Sequence, residues 1–163
     1  KVLQHIDVNY KAKQCESDKD TALQKRLEAY KRLAIGNKAP DFSWIDAHGK
    51  IQQLAKQNAD YYVVAFWGSW CGACEAVLPS VNNYLAQRND VMSIAIGLDV
   101  DAEPWERAKA HYPVFTHIRA AEKWDNKIVS DYAVYASPTF YVLDKELTIV
   151  AKVKNLVELR EVF

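Results

Sequence analysis

Apolar residues along this 163-residue chain alternate between strand-like runs and helical spacing. The runs Tyr61–Trp67 and Val91–Leu98 are almost wholly apolar, which is typical of strands buried in a sheet. Between them, apolar side chains recur at helical spacing from Cys74 to Leu85, with Pro79 inside this helix. A strand, a helix and a strand in close succession predict a right-handed parallel crossover.

The pattern after this crossover predicts short helices and a closing strand pair. The expected helices cover residues 105–111 and 126–133, and the expected strands cover 139–143 and 147–151. Asn155, with Glu158 three positions later, predicts the start of a last helix. No internal repeat is visible, so we expect one folded domain here.

The first part of the chain predicts a helix and a hairpin. Residues 1–19 are polar and weakly patterned, as in an extension or linker. The expected helix starts at Thr21, is stopped by Gly36 and has one apolar face, formed by Leu23, Leu27, Tyr30 and Ala34. Strands at 41–45 and 50–52 around the turn 46–49 predict the hairpin.

Composition excludes several classes of function. Lys and Arg together number 21, as do Asp and Glu, so there is no basic excess that would hold nucleic acid. No apolar run reaches the roughly 18 residues of a membrane span, so we expect no direct span in this chain. The first residues lack the apolar core of a signal peptide and the sequence does not begin with Met, so we expect that any export signal has been removed.

Two of the three cysteines carry the main chemical signal. Cys71 and Cys74 form a C-x-x-C motif between the first buried strand and the helix. A helix N-terminus favours a thiolate on Cys71, the expected nucleophile, while Cys74 lies one turn further on as the resolving thiol. This arrangement predicts a thiol–disulfide oxidoreductase. Cys15, in a polar stretch, is expected to be an incidental free thiol.

Other uses of a C-x-x-C motif fit less well. A structural zinc site needs four ligands, and the histidines show no ligand spacing, so we expect no metal. A c-type haem needs His directly after the second cysteine, where Glu75 stands. We expect no cofactor.

The motifs together resemble the thioredoxin superfamily. The segment Trp70–Cys74 reads WCGAC, with Ala73 where thioredoxins usually have Pro, and Ser137-Pro138-Thr139-Phe140 is similar to the cis-proline segment. The opening Ile35–Phe42 resembles that of the TlpA/ResA-like extracytoplasmic branch. The resemblance covers about residues 35–163. It implies an α/β fold, with a central mixed sheet flanked by helices and an added N-terminal helix and β-hairpin, and it divides the chain into an extension (1–34) and a thioredoxin-like domain (35–163).

The resemblance also implies roles for individual residues. Pro138 would have a cis peptide bond, and the backbone of Ser137 would pair with the substrate chain. Trp70, Gly72 and Ala73 would complete the substrate-binding surface. The partners implied are protein thiols or disulfides and an upstream redox partner, in the periplasm or elsewhere outside the cytoplasm. A tether through a segment before residue 1 is expected.

Two positions depart from the family pattern. Ala65 stands where thioredoxins have a buried Asp, and Val77 stands where many TlpA/ResA-like proteins have Glu. Deprotonation of Cys74 must then rely on water, on another carboxylate or on Glu75 as a proton relay. The alternative for Glu75 is a solvated charge at the helix start.

Two other functions stay open from the sequence. The missing acids suggest a binding or assembly module whose disulfide is mainly structural. A related thiol peroxidase is the other alternative, although the segment before Cys71 lacks the P-x-x-x-T-x-x-C pattern of peroxiredoxins. The thiol–disulfide oxidoreductase is the preferred hypothesis.

Overall fold

The computed structural model describes residues 18–163. The predictions for Cys15 and for most of the polar linker lie outside the described residues. The helices are α1 (Asp18–Arg32), α2 (Gly72–Leu85), α3 (Ala102–Lys109), α4 (Lys127–Asp131) and α5 (Leu156–Arg160). The strands are β1 (Ser43–Ile45), β2 (Ile51–Gln53), β3 (Tyr61–Trp67), β4 (Val91–Gly97), β5 (Thr116–Arg119), β6 (Thr139–Asp144) and β7 (Ile149–Val153).

Five strands form a mixed sheet in the order β5-β4-β3-β6-β7, and β1 pairs with β2 in a separate antiparallel hairpin. The central strand β3 runs parallel to β4 and antiparallel to β6. The crossover β3–α2–β4 therefore joins neighbouring parallel strands, as the sequence predicts. The strands β3 and β4 end side by side, because Trp67 pairs with Gly97.

The two faces of the sheet bury separate apolar clusters, because successive residues of a strand point to opposite faces. Val63, Ala65 and Trp67 of β3 pack on the face that α2 covers with Cys74, Leu78, Val81 and Leu85. Tyr62, Val64 and Phe66 pack on the other face, against the β1–β2 hairpin and α4 through Trp44, Leu54 and Val129. The dithiol helix is thus held against the sheet by a largely apolar layer.

Helix α1 differs from its predicted form at both ends. It includes Asp18, so Thr21 lies inside it and does not start it. It ends at Arg32, where the Asn37 side-chain amide donates to the carbonyl oxygens of Lys31 (2.9 Å) and Arg32 (3.2 Å). Gly36, at φ +92°, belongs to the following turn.

The predicted apolar face of α1 is wrong. Leu27 is buried, whereas Leu23 and Tyr30 are exposed and Leu33, just past the helix, joins the core. The helix packs on the core only through its second half, at Leu27 and Ala29, so Leu23 stays in solvent, and Ala34 lies beyond the helix end. Tyr30 instead packs its ring against Tyr135 at the surface, with ring centroids 6.4 Å apart.

Strand β5 and the start of α3 were not predicted. The sequence of β5 is Thr-His-Ile-Arg, which has one aliphatic residue, and all four residues are half-buried at the edge of the sheet. Helix α3 starts at Ala102, so Pro104 occupies its first turn, as Pro can without losing a hydrogen bond. Helix α4 is shorter than predicted, at five residues.

The predicted start of the last helix is confirmed. The Asn155 side chain accepts a hydrogen bond from the backbone N–H of Glu158 at 3.0 Å, and Glu158 in turn accepts from Lys154 N–H. Between residues 18 and 163, no helix combines the length and the apolar character that crossing a membrane requires.

Candidate active site

The two cysteines meet at the start of α2. Cys71 is the N-cap residue, and its own N–H donates to the Gly68 carbonyl oxygen at 3.1 Å, which closes the turn after β3. Cys74 lies in the first helical turn, and a disulfide joins the two sulfurs. The sequence therefore places a strand, a tight turn and a helix N-terminus so that both thiols share one site.

The start of the helix supplies a hydrogen-bond donor to one sulfur. The backbone N–H of Cys74 points to Cys71 Sγ at 3.1 Å, and the Cys71 carbonyl accepts from the N–H groups of Cys74 and Glu75. Unpaired N–H groups at a helix N-terminus stabilise negative charge. The geometry therefore favours a thiolate on Cys71 once the disulfide is reduced.

The two sulfurs differ in access. Cys71 is 8% exposed and Cys74 is 1% exposed. Cys71 also lines a surface groove, of about 460 Å³, between α2 and α3. A substrate sulfur can thus approach Cys71 from the groove, whereas the protein encloses Cys74.

The loop before β6 lies against the exposed side of the dithiol. The Ser137–Pro138 peptide bond is cis, the conformation that the family resemblance implies. The Ser137 carbonyl oxygen lies 3.6 Å from Cys71 Sγ. Thr139 begins β6, and its hydroxyl donates to the Ala136 carbonyl at 2.9 Å, which braces this loop. The structure thus brings Ser137 and Pro138 together with Cys71.

Trp70 stands beside the dithiol with half of its surface open, at 51% exposure. Its indole N–H donates to the Leu98 carbonyl at 3.1 Å. The ring also packs on the backbone of Gly68, since a Cβ at that position would lie 2.6 Å from the indole. Gly72 and Ala73, in the first turn of α2, are both exposed.

Asp99 is a site residue that sequence reasoning missed. It is 3% exposed and accepts hydrogen bonds from the Ser69 backbone N–H (3.1 Å) and the Ser69 hydroxyl (2.5 Å). It thereby ties the end of β4 to the loop that carries Trp70 and Cys71. The sequence feature that could have pointed to Asp99 is its position just past a buried parallel strand, because the ends of such strands meet at one edge of the sheet.

The surroundings of Cys74 are apolar. Cys74 belongs to one buried cluster with Ala65, Leu78 and Phe140, and Val77 packs against that cluster. Both positions where the family places a carboxylate therefore hold hydrocarbon in this protein. Glu75 is exposed at the rim of the groove that Cys71 lines. Glu75 is thus close to the dithiol but on its solvent side.

Behind the groove lies a layer of aromatic side chains. His117 packs its ring against Trp67, with centroids 5.9 Å apart, and its Nε2 lies 2.9 Å from the Tyr112 carbonyl, an arrangement in which Nε2–H donates. Burial lowers the pKa of His117. Burial, with a smaller contribution from the Glu75 charge, raises the pKa of Tyr112. Both shifts favour the neutral forms of His117 and Tyr112.

Comparison with known proteins identifies the family of this chain and its relatives. The model of the AhpC/TSA family matches residues 35–152. The thiol–disulfide oxidoreductase ResA of Bacillus cereus is 28% identical over 124 residues, which are 75% of this chain and 70% of ResA.

Solved structures show the same fold. A thioredoxin-like protein from Bacteroides caccae superposes with a TM-score of 0.80 at 22% identity, over 98% of this chain and 59% of its own. The thioredoxin domain of a thiol–disulfide oxidoreductase from Bacteroides vulgatus superposes with a TM-score of 0.69 at 22% identity, over 79% of this chain and 94% of its own. The predicted thioredoxin-like fold is confirmed.

Proposed function

This chain belongs to the AhpC/TSA family, and on that basis we propose that it is a thiol–disulfide oxidoreductase that exchanges its Cys71–Cys74 pair with protein substrates. The observation that carries the proposal is the pairing of Cys71, which lines the surface groove and accepts from the Cys74 N–H at 3.1 Å, with the more deeply buried Cys74 one turn away. This arrangement separates the attacking thiol from the resolving thiol.

The reaction follows from this separation. The Cys71 thiolate attacks one sulfur of a substrate disulfide, and the other substrate sulfur leaves as a thiolate and takes up a proton. Cys74 then loses its proton and attacks Cys71 Sγ. This closes the protein disulfide and releases the substrate as a dithiol. Two electrons and two protons pass to the substrate, and the reverse sequence oxidises a substrate dithiol.

The residues around Cys71 are suited to hold a polypeptide substrate. The cis Ser137–Pro138 bond and the Ser137 carbonyl, 3.6 Å from Cys71 Sγ, leave backbone groups beside the reacting sulfur. In our proposal, Ser137 pairs with the substrate backbone, and Pro138 shapes the loop. Trp70, Gly72 and Ala73 form the rest of the contact surface, since all three are exposed.

The proton of Cys74 has no carboxylate acceptor at either of the positions where the family places one, because these positions hold Ala65 and Val77. We assign Glu75 the role of a relay to solvent, since it follows Cys74 directly and lines the groove beside Cys71. Water in this groove would carry the proton onward. This role predicts a slow second step compared with a buried base.

The substrates are protein thiols or disulfides, as the ResA name of the relative implies. The finer proposals are an upstream redox partner that resets the dithiol and a location outside the cytoplasm, in the periplasm or an equivalent compartment. We further propose that residues 35–163 act as the thioredoxin-like domain and that residues 1–34 connect it to a tether.

One observation favours the rival function, a module with a structural disulfide. The apolar enclosure of Cys74 hinders proton transfer, and the same enclosure would protect a permanent disulfide from reduction. Exchange activity separates the two functions. A thiol peroxidase would be revealed by the consumption of hydrogen peroxide with a thiol donor.

Dithiothreitol-driven reduction of insulin tests the proposal. We expect Cys71→Ser to lose catalysed reduction, because no thiolate remains at the helix start. We expect Cys74→Ser to form a mixed disulfide through Cys71, visible as added mass. Cys15→Ser is the matched control and should keep the wild-type rate. Unchanged insulin reduction by Cys71→Ser would refute the proposal.

A further inference from the structure

Two exposed indole rings meet next to the dithiol. Trp70 is 51% exposed and Trp124 is 40% exposed, and their ring centroids are 6.4 Å apart at an interplanar angle of 68°. Trp124 lies on the short 3-10 helix Lys123–Asp125 between β5 and α4. We call Trp70 and Trp124 the indole pair. Large exposed aromatic side chains beside a reactive group commonly mark a binding surface.

The first ring of the indole pair is held in place before any partner binds. The Trp70 N–H donates to the Leu98 carbonyl at 3.1 Å, and the ring rests on the backbone of Gly68. The Lys123 ammonium lies 5.6 Å from the Trp70 ring centroid. A ring fixed in this way loses little conformational freedom when it binds.

The second ring is held by the turn that carries it. The N–H of Lys123 donates to the Ala120 carbonyl at 2.9 Å, and the N–H of Asp125 donates to the Glu122 carbonyl at 3.1 Å. The next residue, Asn126, accepts from Ile128 N–H at 3.0 Å and caps α4. The turn is thus closed on both sides of Trp124.

We propose that the indole pair binds an apolar side chain of the substrate polypeptide, two residues from its reacting cysteine. This inference rests on the proposed function. A substrate sulfur at Cys71 places its chain beside Trp70, the preceding residue. In an extended chain, the side chain two positions from the cysteine lies on the same side of the chain as the cysteine, about 6.7 Å from it. That distance is within reach of the indole that adjoins Cys71.

Burial of an apolar side chain against the outer faces of the two indoles removes hydrocarbon from water on both partners. A polar side chain in the same place gains little, because its polar group loses hydration there. The pair therefore selects substrates by the residue near their cysteine. A flexible or unfolded segment can present such a residue, whereas a folded surface usually keeps it buried.

Two peptide disulfides test this inference. They differ only in having Phe or Ser two positions from the cysteine, and kcat/KM is measured for each. We expect wild-type protein to prefer the Phe peptide about tenfold, and Trp124→Ala to reduce that ratio to about one. Val157→Ala, which removes an exposed apolar side chain on α5, is the matched control and should keep the ratio. Trp124→Phe, which keeps an aromatic ring, should retain most of the preference for the Phe peptide.

Equal kcat/KM for both peptides in the wild type, or an unchanged ratio in Trp124→Ala, would overturn the inference. Binding gives a second reading that needs no turnover. Fluorescein-labelled peptides with Ser in place of Cys should show the same tenfold difference in anisotropy titrations, which is lost in Trp124→Ala. Failure of the wild type to reduce hydroxyethyl disulfide would instead count against the proposed function.

Discussion

The two sulfurs of the dithiol belong to one buried cluster but differ in their nearest neighbours, although they are only three positions apart. Around Cys71 are a backbone N–H at 3.1 Å, the Ser137 carbonyl at 3.6 Å and the exposed Trp70. Cys74 is enclosed by a buried apolar cluster that includes Ala65. The start of the helix by itself prepares the first sulfur for attack, whereas proton removal from the second depends on groups that the fold places around it.

The largest effect is expected on the Cys71 side, from Asp99→Ala. The change leaves the N–H and hydroxyl of Ser69 without their buried acceptor, which we expect to lower the free energy of unfolding by about 2–3 kcal/mol. Asp101→Ala is the control, because Asp101 is exposed and its side chain makes no capping bond to α3. Urea unfolding measures both, and equal losses would contradict the role of Asp99.

A smaller effect is expected on the Cys74 side, from Val77→Glu. A carboxylate at this partly buried position would accept the Cys74 proton and speed resolution of a mixed disulfide on the order of tenfold at pH 7. Val77→Gln serves as the control, because the Gln side chain has a shape similar to that of Glu but is not a comparable base. Stopped-flow tryptophan fluorescence follows the step. If Gln accelerated it as much as Glu, proton acceptance would not be the cause.

The smallest effect is expected for His117, whose ring lies in the aromatic layer behind the groove. Burial lowers its pKa, the hydrogen bond to the Tyr112 carbonyl partly opposes this, and the charges of Lys109 and Glu106 on α3 have smaller effects of opposite sign. The unfolded chain therefore binds a proton more readily as the pH falls below about 6.5, and stability is lost in that direction. His117→Gln should flatten the decline in unfolding free energy between about pH 7 and pH 5. His48→Gln, at an exposed turn position, is the control and should leave this decline unchanged.

The sequence predicts the central elements well because their signals are local. The strands β3 and β4 are continuous apolar runs, and the helix between them begins at a C-x-x-C motif. Asn155 and Glu158 likewise define a helix start through neighbouring atoms. In each case the residues that cause the structure are adjacent in the chain.

Features that depend on distant contacts were missed. Asp99 is buried because Ser69, 30 positions away, supplies its hydrogen bonds. Its position just past a buried strand marks the edge of the sheet but does not identify this partner. Strand β5 forms because β4 offers it a free edge, although Thr116 and Arg119 are polar. The predicted apolar face of α1 is wrong because only the second half of the helix meets the core, and because the helix ends at Arg32, where Asn37 binds its last carbonyls.

The central claim is that Cys71 and Cys74 cycle between dithiol and disulfide. The direct test equilibrates Cys15→Ser protein in graded dithiothreitol and glutathione buffers, quenches with acid, and counts alkylated thiols by mass. We predict one reversible two-electron transition between about −270 and −120 mV, in which both thiols appear together. A disulfide that shows no reversible transition over these buffers would contradict the claim and favour a structural module.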